Sequence, residues 1–234
     1  MEPIINFILD IWLYLALGLA GVLAWRLAKK WKDWAWLQRI CLMALIVLVF
    51  HAWEEWRIPG GFAYSHNNGS LNYPMNRLTD MLTIVGGLVF GTIFAWNGVK
   101  NRGVAIPYML LGFVECLAHL VMTPLTNAYG SFYNPGMATV IVSWLPATVG
   151  ILICLIKDRP NWKQVLAGFA GFMVVITFIC LMLPEILFSN PDSPYAFPDR
   201  GYWERYEQRL PNDPEYQGTV QTDLTENEEG GKIQ

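Results

Sequence analysis

Six ionisable side chains stand within or at the edge of long apolar runs: His51, Glu54, Glu55, Asp80, Glu115 and His119. At membrane depth such a group costs several kcal/mol unless it is paired or faces water. Two imidazoles and four carboxylates are the ligand set of helical bundles that hold two iron or manganese ions. Hard carboxylates with imidazole suit a divalent transition metal: iron, manganese or zinc. Without a metal the same groups form a proton-transfer centre of general acids and bases. The order here is His-x-x-Glu-Glu and Glu-x-x-x-His. It is neither the Glu-x-x-His of di-iron bundles nor the His-Glu-x-x-His of zinc proteases.

Spacing says which groups meet. His51 and Glu55 are four apart and share a helix face, with Glu54 at its border. Glu115 and His119 are also four apart. Asn76, Asp80, Thr83 and Gly87 form a further stripe. His51 lies about 8 Å, and His119 about 9 Å, below the ends of their apolar runs at 1.5 Å per residue. Glu115 is one turn deeper, and Asp80 opens the helix between them. The six groups are therefore expected in one layer. All six are candidate metal ligands. His51, Glu54, Glu55, Glu115 and His119 are the candidate catalytic set, and Asn76, Tyr133 and Asn134 the candidate substrate-orienting groups. Two alternatives stay open: Arg77, one turn before Asp80, neutralises it, and the His–Glu pairs only lock helices together.

The elements that must position these groups follow from composition. Of 234 residues 54% are hydrophobic and 15% charged, against about a quarter charged in soluble domains. Residues 1–184 hold 8 acids and 12 bases, and residues 185–234 hold 11 acids and 4 bases. An oily, basic body with an acidic tail excludes a nucleic-acid-binding protein, a disordered chain and an ordinary cytosolic enzyme. About 20 apolar residues cross a bilayer core of roughly 30 Å. Six runs qualify, at about 4–25, 37–56, 78–96, 104–125, 137–156 and 162–183. Lipid admits only helices or closed barrels, and these runs are too long and evenly apolar for strands. The predicted fold is all-α, six transmembrane helices followed by a polar tail over 185–234. No small-residue cleavage site follows the first run, which is expected to stay in the mature chain.

Ten of the twelve body bases fall in the 1–2, 3–4 and 5–6 connections. The positive-inside rule places those in the cytoplasm, both termini on the other side, and the ionisable layer in the outer leaflet, in the cell membrane. Trp25, Trp31, Trp34 and Trp36 fall at the inner boundary. Residues 57–77, with His66, and the connection through Tyr133-Asn134-Pro135-Gly136 have the Gly, Pro and aromatic content of ordered capping loops. Pro135-Gly136 also suits a turn into a helix. Gly86, Gly87 and Gly91 suit a close helix contact. Cys41, Cys116, Cys154 and Cys180 each sit in a different run without metal or redox spacing, as apolar filler. In the tail, Trp203-Glu204-Arg205-Tyr206-Glu207 suits a surface helix, and disorder is expected from about 218.

The string His51-Ala52-Trp53-Glu54-Glu55 resembles the motif that names the HXXEE family of integral membrane proteins. The resemblance continues through Trp56-Arg57-Ile58-Pro59-Gly60-Gly61-Phe62, Tyr73-Pro74-Met75-Asn76, Asp80, Glu115, His119 and Tyr133-Asn134-Pro135-Gly136. It covers about residues 40–155. It implies a multi-pass membrane protein defined by His51, Glu54 and Glu55, and no established activity. The chain is also similar, more loosely, to the emopamil-binding sterol-isomerase group, where a His and a Glu one turn apart work with a Glu from another helix. His51, Glu55 and Glu115 are the matching positions, although the number of spans differs.

Three functions follow as expectations. The first is a membrane-embedded enzyme with this His/carboxylate site acting on a small or lipid-like substrate. The second is a transporter or metal-ion permease; helices 1, 5 and 6 supply few groups for a path to the cytoplasm, and no inverted repeat is visible. The third is a non-catalytic binding or assembly module working through the tail. The expected partners are the bilayer and a small lipophilic ligand, not nucleic acid.

Overall fold

The structure, a computed structural model, describes residues 2–61, 76–126, 132–188 and Tyr195. Among them helix is the only regular structure. Six helices are long and apolar enough to cross a membrane: α1 Glu2–Lys30, α2 Trp36–Trp56, α3 Arg77–Ala95, α4 Arg102–Leu125, α5 Met137–Lys157 and α6 Trp162–Phe188. The expected all-α architecture is therefore what the chain adopts. Two spans outrun their expected limits. α1 reaches Lys30 rather than 25, and α6 reaches Phe188 rather than 183, so Glu185 belongs to the last turn of α6 and not to the tail. Residues 62–75 with His66, residues 127–131, and the chain beyond 188 apart from Tyr195 lie outside the described residues. The surface helix expected near Trp203 and the disorder expected from about 218 fall there too.

Asparagine caps start three of the helices. Asn76 Oδ1 accepts from Leu78 N at 2.9 Å and Thr79 N at 3.1 Å. Asn101 Oδ1 accepts from Gly103 N at 2.9 Å. Asn161 and Gln164 exchange side-chain-to-backbone bonds at 3.0 Å each. Such caps satisfy amide donors that the helix itself leaves open. The sequence Asn76-x-x-Thr79 marks the start of α3 by this device.

α2 is the most enclosed helix and α6 the least. α2 packs against α1, α3, α4 and α5, and α4 and α3 pack against α6. Leu42, Leu45, Leu48, Val49, Ile84, Leu88, Val140, Trp144 and Ile151 fill the middle. Glycines let the backbones close in. A Cβ on Gly86 would meet Cys180 Sγ at 3.0 Å, and one on Gly91 would overlap Leu45, so the expected close contacts of α3 are with α6 and α2 respectively.

The two ends differ in chemistry. At one, Arg26 reaches Trp96 O at 3.1 Å and lies 5.0 Å from the centre of the Trp96 ring. Arg39 lies 4.8 Å from the Trp31 ring, and Arg102 pairs with Asp158 at 3.4 Å. This is the basic, Trp-rich end. At the other, α1, α2, α3, the end of α4 and the start of α5 meet around the acids and histidines. Arg77 there pairs with Asp10 of α1 at 3.3 Å and donates to Asn6 at 3.1 Å. It thus ties α3 to α1 instead of neutralising Asp80, because its side chain leaves the helix on the α1 side.

Candidate functional site

Four side chains from two helices converge. α2 supplies His51 and Glu55 one turn apart, and α4 supplies Glu115 and His119. His51 Nε2 lies 3.4 Å from Glu55 Oε1 and 3.3 Å from Glu115 Oε2. His119 Nε2 lies 3.3 Å from the same Glu55 oxygen and 3.8 Å from the same Glu115 oxygen. The imidazoles meet edge to face with centres 4.8 Å apart. Both histidines are buried, Glu55 is nearly so, and Glu115 is the most accessible, its side chain 21% exposed. The matching heights expected of these four groups are realised.

α5 supplies the shell that aims the rings. Glu54, on the neighbouring face of α2, points at the first turn of α5. Its Oε1 accepts from Tyr133 OH at 2.9 Å and Ala138 N at 3.0 Å; its Oε2 accepts from Thr139 N at 2.8 Å and Thr139 Oγ1 at 2.6 Å. A carboxylate from another helix thus caps the start of α5, where free amide donors and the helix dipole favour it. Thr139 Oγ1 also lies 2.9 Å from Gly136 O and 2.7 Å from His51 Nδ1. Its single proton has two acceptors, Glu54 and Gly136. The hydroxyl therefore accepts from His51, and Nδ1 carries a proton. His119 is fixed likewise. Asn134 donates through Nδ2 to His119 O at 3.0 Å, which turns its Oδ1 onto His119 Nδ1 at 2.7 Å. Nδ1 of His119 is a donor as well. Each ring then presents Nε2 to the two carboxylates.

Backbone geometry follows the site. α4 widens into a π-helical turn over Ala118–Met122, which contains His119. α5 does so over Val140–Trp144, directly after Thr139. Such insertions recur at functional sites. Gly136 sits at φ +95°, and a Cβ there would lie 2.8 Å from both ring nitrogens of His119. Only glycine permits both that backbone and that approach. The expected turn at Pro135-Gly136 is thus also the surface on which His119 rests.

The remaining expected residues lie elsewhere. Asp80 accepts from Trp56 Nε1, and Trp56 stacks edge-on with Trp12 of α1 at 4.8 Å. Asp80 is close enough to Glu55, Glu115 and Glu185 for their charges to interact, but it is not in the ligand group. Asn76, 2% exposed, uses its amide on the α3 cap and on Phe188 O at 3.1 Å, tying α3 to α6. Tyr133 and Asn134 act on Glu54 and His119. Thr139 escaped the sequence reading, since one threonine at a helix start carries no signal of its own. Buried Glu185 lies within α6 and not in the acidic tail that composition predicts from residue 185.

His51, Glu55 and His119 form a group that could hold a metal ion, with ligand atoms all within 4.8 Å of one another. Two charge-balanced states are open to the four side chains: two protons on the imidazoles, or one dication. Charge-assisted N–H···O bonds run about 2.7–2.9 Å. Metal–ligand bonds of about 2.1 Å in a tetrahedron give ligand–ligand edges of about 3.4 Å. The separations from Glu55 Oε1, 3.4 and 3.3 Å, are close to such an edge, while His119 lies farther, 3.8 Å, from Glu115. His51 Nε2, fully buried, has no hydrogen bond of good geometry. The donor set and its spacing fit a metal.

Residues 42–151 match the family described as "Protein of unknown function with HXXEE motif". No curated protein and no solved structure matches the chain.

Proposed function

Starting from the match of residues 42–151 to the HXXEE-motif family, we propose that the chain is a membrane-embedded metal enzyme acting on a small or lipid-like substrate. His51, Glu55 and His119 hold one divalent ion of zinc, iron or manganese. Glu115, whose Oε2 lies 3.3 Å from His51 Nε2, stands beside the open position as the proton acceptor. The observation that carries this is the convergence of His51, Glu55 and His119, whose ligand atoms lie within 4.8 Å of one another, with Glu55 Oε1 3.4 and 3.3 Å from the two imidazole nitrogens. Three protein ligands with one open position is the pattern of catalytic rather than structural zinc sites.

Each residue has a task in this reading. A bound ion supplies Lewis-acid activation of a carbonyl oxygen or a water. Glu115, the most accessible of the four, receives the proton that substrate or water gives up. His51 and His119 are held by Nδ1 donation to Thr139 and Asn134, which keeps Nε2 aimed inward and raises its basicity. Glu54 anchors Thr139 and so sets the His51 ring; the two acids of the motif thereby divide into an anchor and a ligand. By the positive-inside rule the site belongs to the outer leaflet of the cell membrane, with both termini outside.

A permease is less well supported. Among the described residues the buried polar side chains are Gln38, His51, Glu54, Asn76, Thr79, His119, Asn134 and Glu185. Only Gln38 lies toward the basic end, and the middle is filled by Leu45, Leu48, Ile84, Leu88 and Ile151. Among the described residues these buried side chains form no continuous polar path from the site to that end.

Elemental analysis of detergent-purified protein is expected to find about one equivalent of a single transition metal per chain. A chelator should lower the apparent melting temperature by several degrees, and one equivalent of the same ion should restore it, since an ion that binds only the folded chain stabilises it. Less than about a tenth of an equivalent, with no response to added zinc, iron or manganese, ends the metal reading.

A further inference from the structure

A second feature lies at the opposite end of the bundle from His51. A groove of about 240 Å³ runs between α3, α4 and α6. Phe90 and Phe94 form one wall, Pro107 and Leu111 the other, and Val175 and Ile176 the third. Gly87 and Gly171, where a Cβ would meet nothing nearer than 3.7 and 3.8 Å, leave space along it. The one hydroxyl beside it, on Tyr108, is spent on Gly91 O at 2.7 Å. The groove therefore offers dispersion contact and almost no hydrogen bonding, the surface that an alkyl chain fits.

Its end is chemically different. Asn101 lies there, bound to Gln164 of α6 at 3.3 Å. Lys100 and Lys163 flank that pair in sequence, and both are exposed. The Lys163 ammonium lies 5.6 Å from the centre of the Trp162 ring, the pairing of cation and aromatic found at headgroup level. Arg102 is paired with Asp158. An apolar slot within the membrane span, reaching Asn101 with exposed Lys100 and Lys163 next in sequence to the Asn101–Gln164 pair, suits one molecule: a lipid with an anionic headgroup. Anionic lipids are also concentrated in the cytoplasmic leaflet, to which the positive-inside rule assigns this end.

We propose that this groove holds one acyl chain of an anionic phospholipid whose headgroup pairs with Lys100 and Lys163. The lipid wedges α3 against α4 and α6 and does not enter the metal chemistry, because the apolar middle of the bundle separates the two.

The test is native mass spectrometry of the full chain in detergent. The probes are phosphatidylglycerol and phosphatidylcholine with the same acyl chains, and glycerol 3-phosphate as the headgroup without chains. Phosphatidylglycerol should be retained one to one, about tenfold better than phosphatidylcholine, and glycerol 3-phosphate not at all. Lys100→Glu with Lys163→Glu, both at exposed positions, should remove the preference. Gly171→Trp, at a position where a Cβ meets nothing nearer than Pro107 Cγ at 3.8 Å, should fill the groove and lose retention of both lipids. Equal retention of the two lipids by the unaltered chain, binding of glycerol 3-phosphate alone, undiminished preference in the double lysine variant, or a second copy of the chain in place of lipid overturns the proposal. Metal content should stay unchanged in every variant, so this outcome is independent of the site at His51.

Discussion

Purified His119→Ala protein is expected to retain less than a tenth of the metal of the unaltered chain. The same holds for His51→Ala and Glu55→Gln. Each removes one of three donor atoms that lie within 4.8 Å of one another. Loss of a mere supporting partner costs about 10–100-fold in metal affinity, and loss of a ligand should exceed that. The series has an internal control. Asp80→Asn should leave metal content within about twofold, because Asp80 is held by Trp56 and stands outside the ligand group. Glu115→Gln should retain metal and lose turnover, as a proton acceptor beside the open position requires. Equal loss in all five variants would mean that metal content reports folding alone. Helical content by circular dichroism, expected to be unchanged in each, separates the two.

The second large effect belongs to Glu54. Four donors, two of them backbone amides of the first turn of α5, end on its two oxygens. Glu54→Ala strands those donors in a buried place. Hydrogen bonds to charged groups contribute about 1.5–3 kcal/mol each, and orphaned partners add their own desolvation cost. A net loss of about 3–5 kcal/mol is expected once the neighbourhood relaxes. That corresponds to a fall of roughly 10 °C in apparent melting temperature for a chain of this size. Glu54→Gln should recover part of the stability. Thr139→Val isolates the orienting role: it removes the acceptor for His51 Nδ1 and should weaken metal binding about 10–100-fold, while Thr139→Ser restores it. An unaffected metal affinity in Thr139→Val would show that the ring needs no such guide.

Much of this was legible before any coordinates. Four-residue spacing put His51 with Glu55 and Glu115 with His119, and counting back from the ends of two apolar runs put both pairs at one height. What could not be read was the division of labour between Glu54 and Glu55. Neighbouring residues on a helix point about 100° apart, so only one can join His51. Which one depends on where α5 begins, and that is a long-range fact. Thr139 was invisible for the same reason, since its role exists only where α5 meets α2. Asp80 and Arg77 read as a local pair, but their partners lie on α2 and α1. Asn76 read as a polar residue on the Asp80 stripe, yet its use as a cap was written locally, in Thr79 three residues on. The ends of α1 and α6 were set too early because Lys29, Lys30, Pro184 and Glu185 interrupt an apolar run without breaking a helix. α6 continues through Pro184 after a π-helical stretch over Phe172–Met182, and lysines suit the last turn of a helix.

X-ray absorption at the metal edge, on protein carrying its own metal or loaded with one equivalent of zinc, tests the centre most directly. The expected spectrum has about four nitrogen and oxygen neighbours at about 2.0–2.1 Å with the outer-shell scattering of two imidazoles. A sulfur shell near 2.3 Å, six oxygen neighbours without imidazole, or a second metal at about 3.5–4 Å would contradict a single ion held by His51, Glu55 and His119.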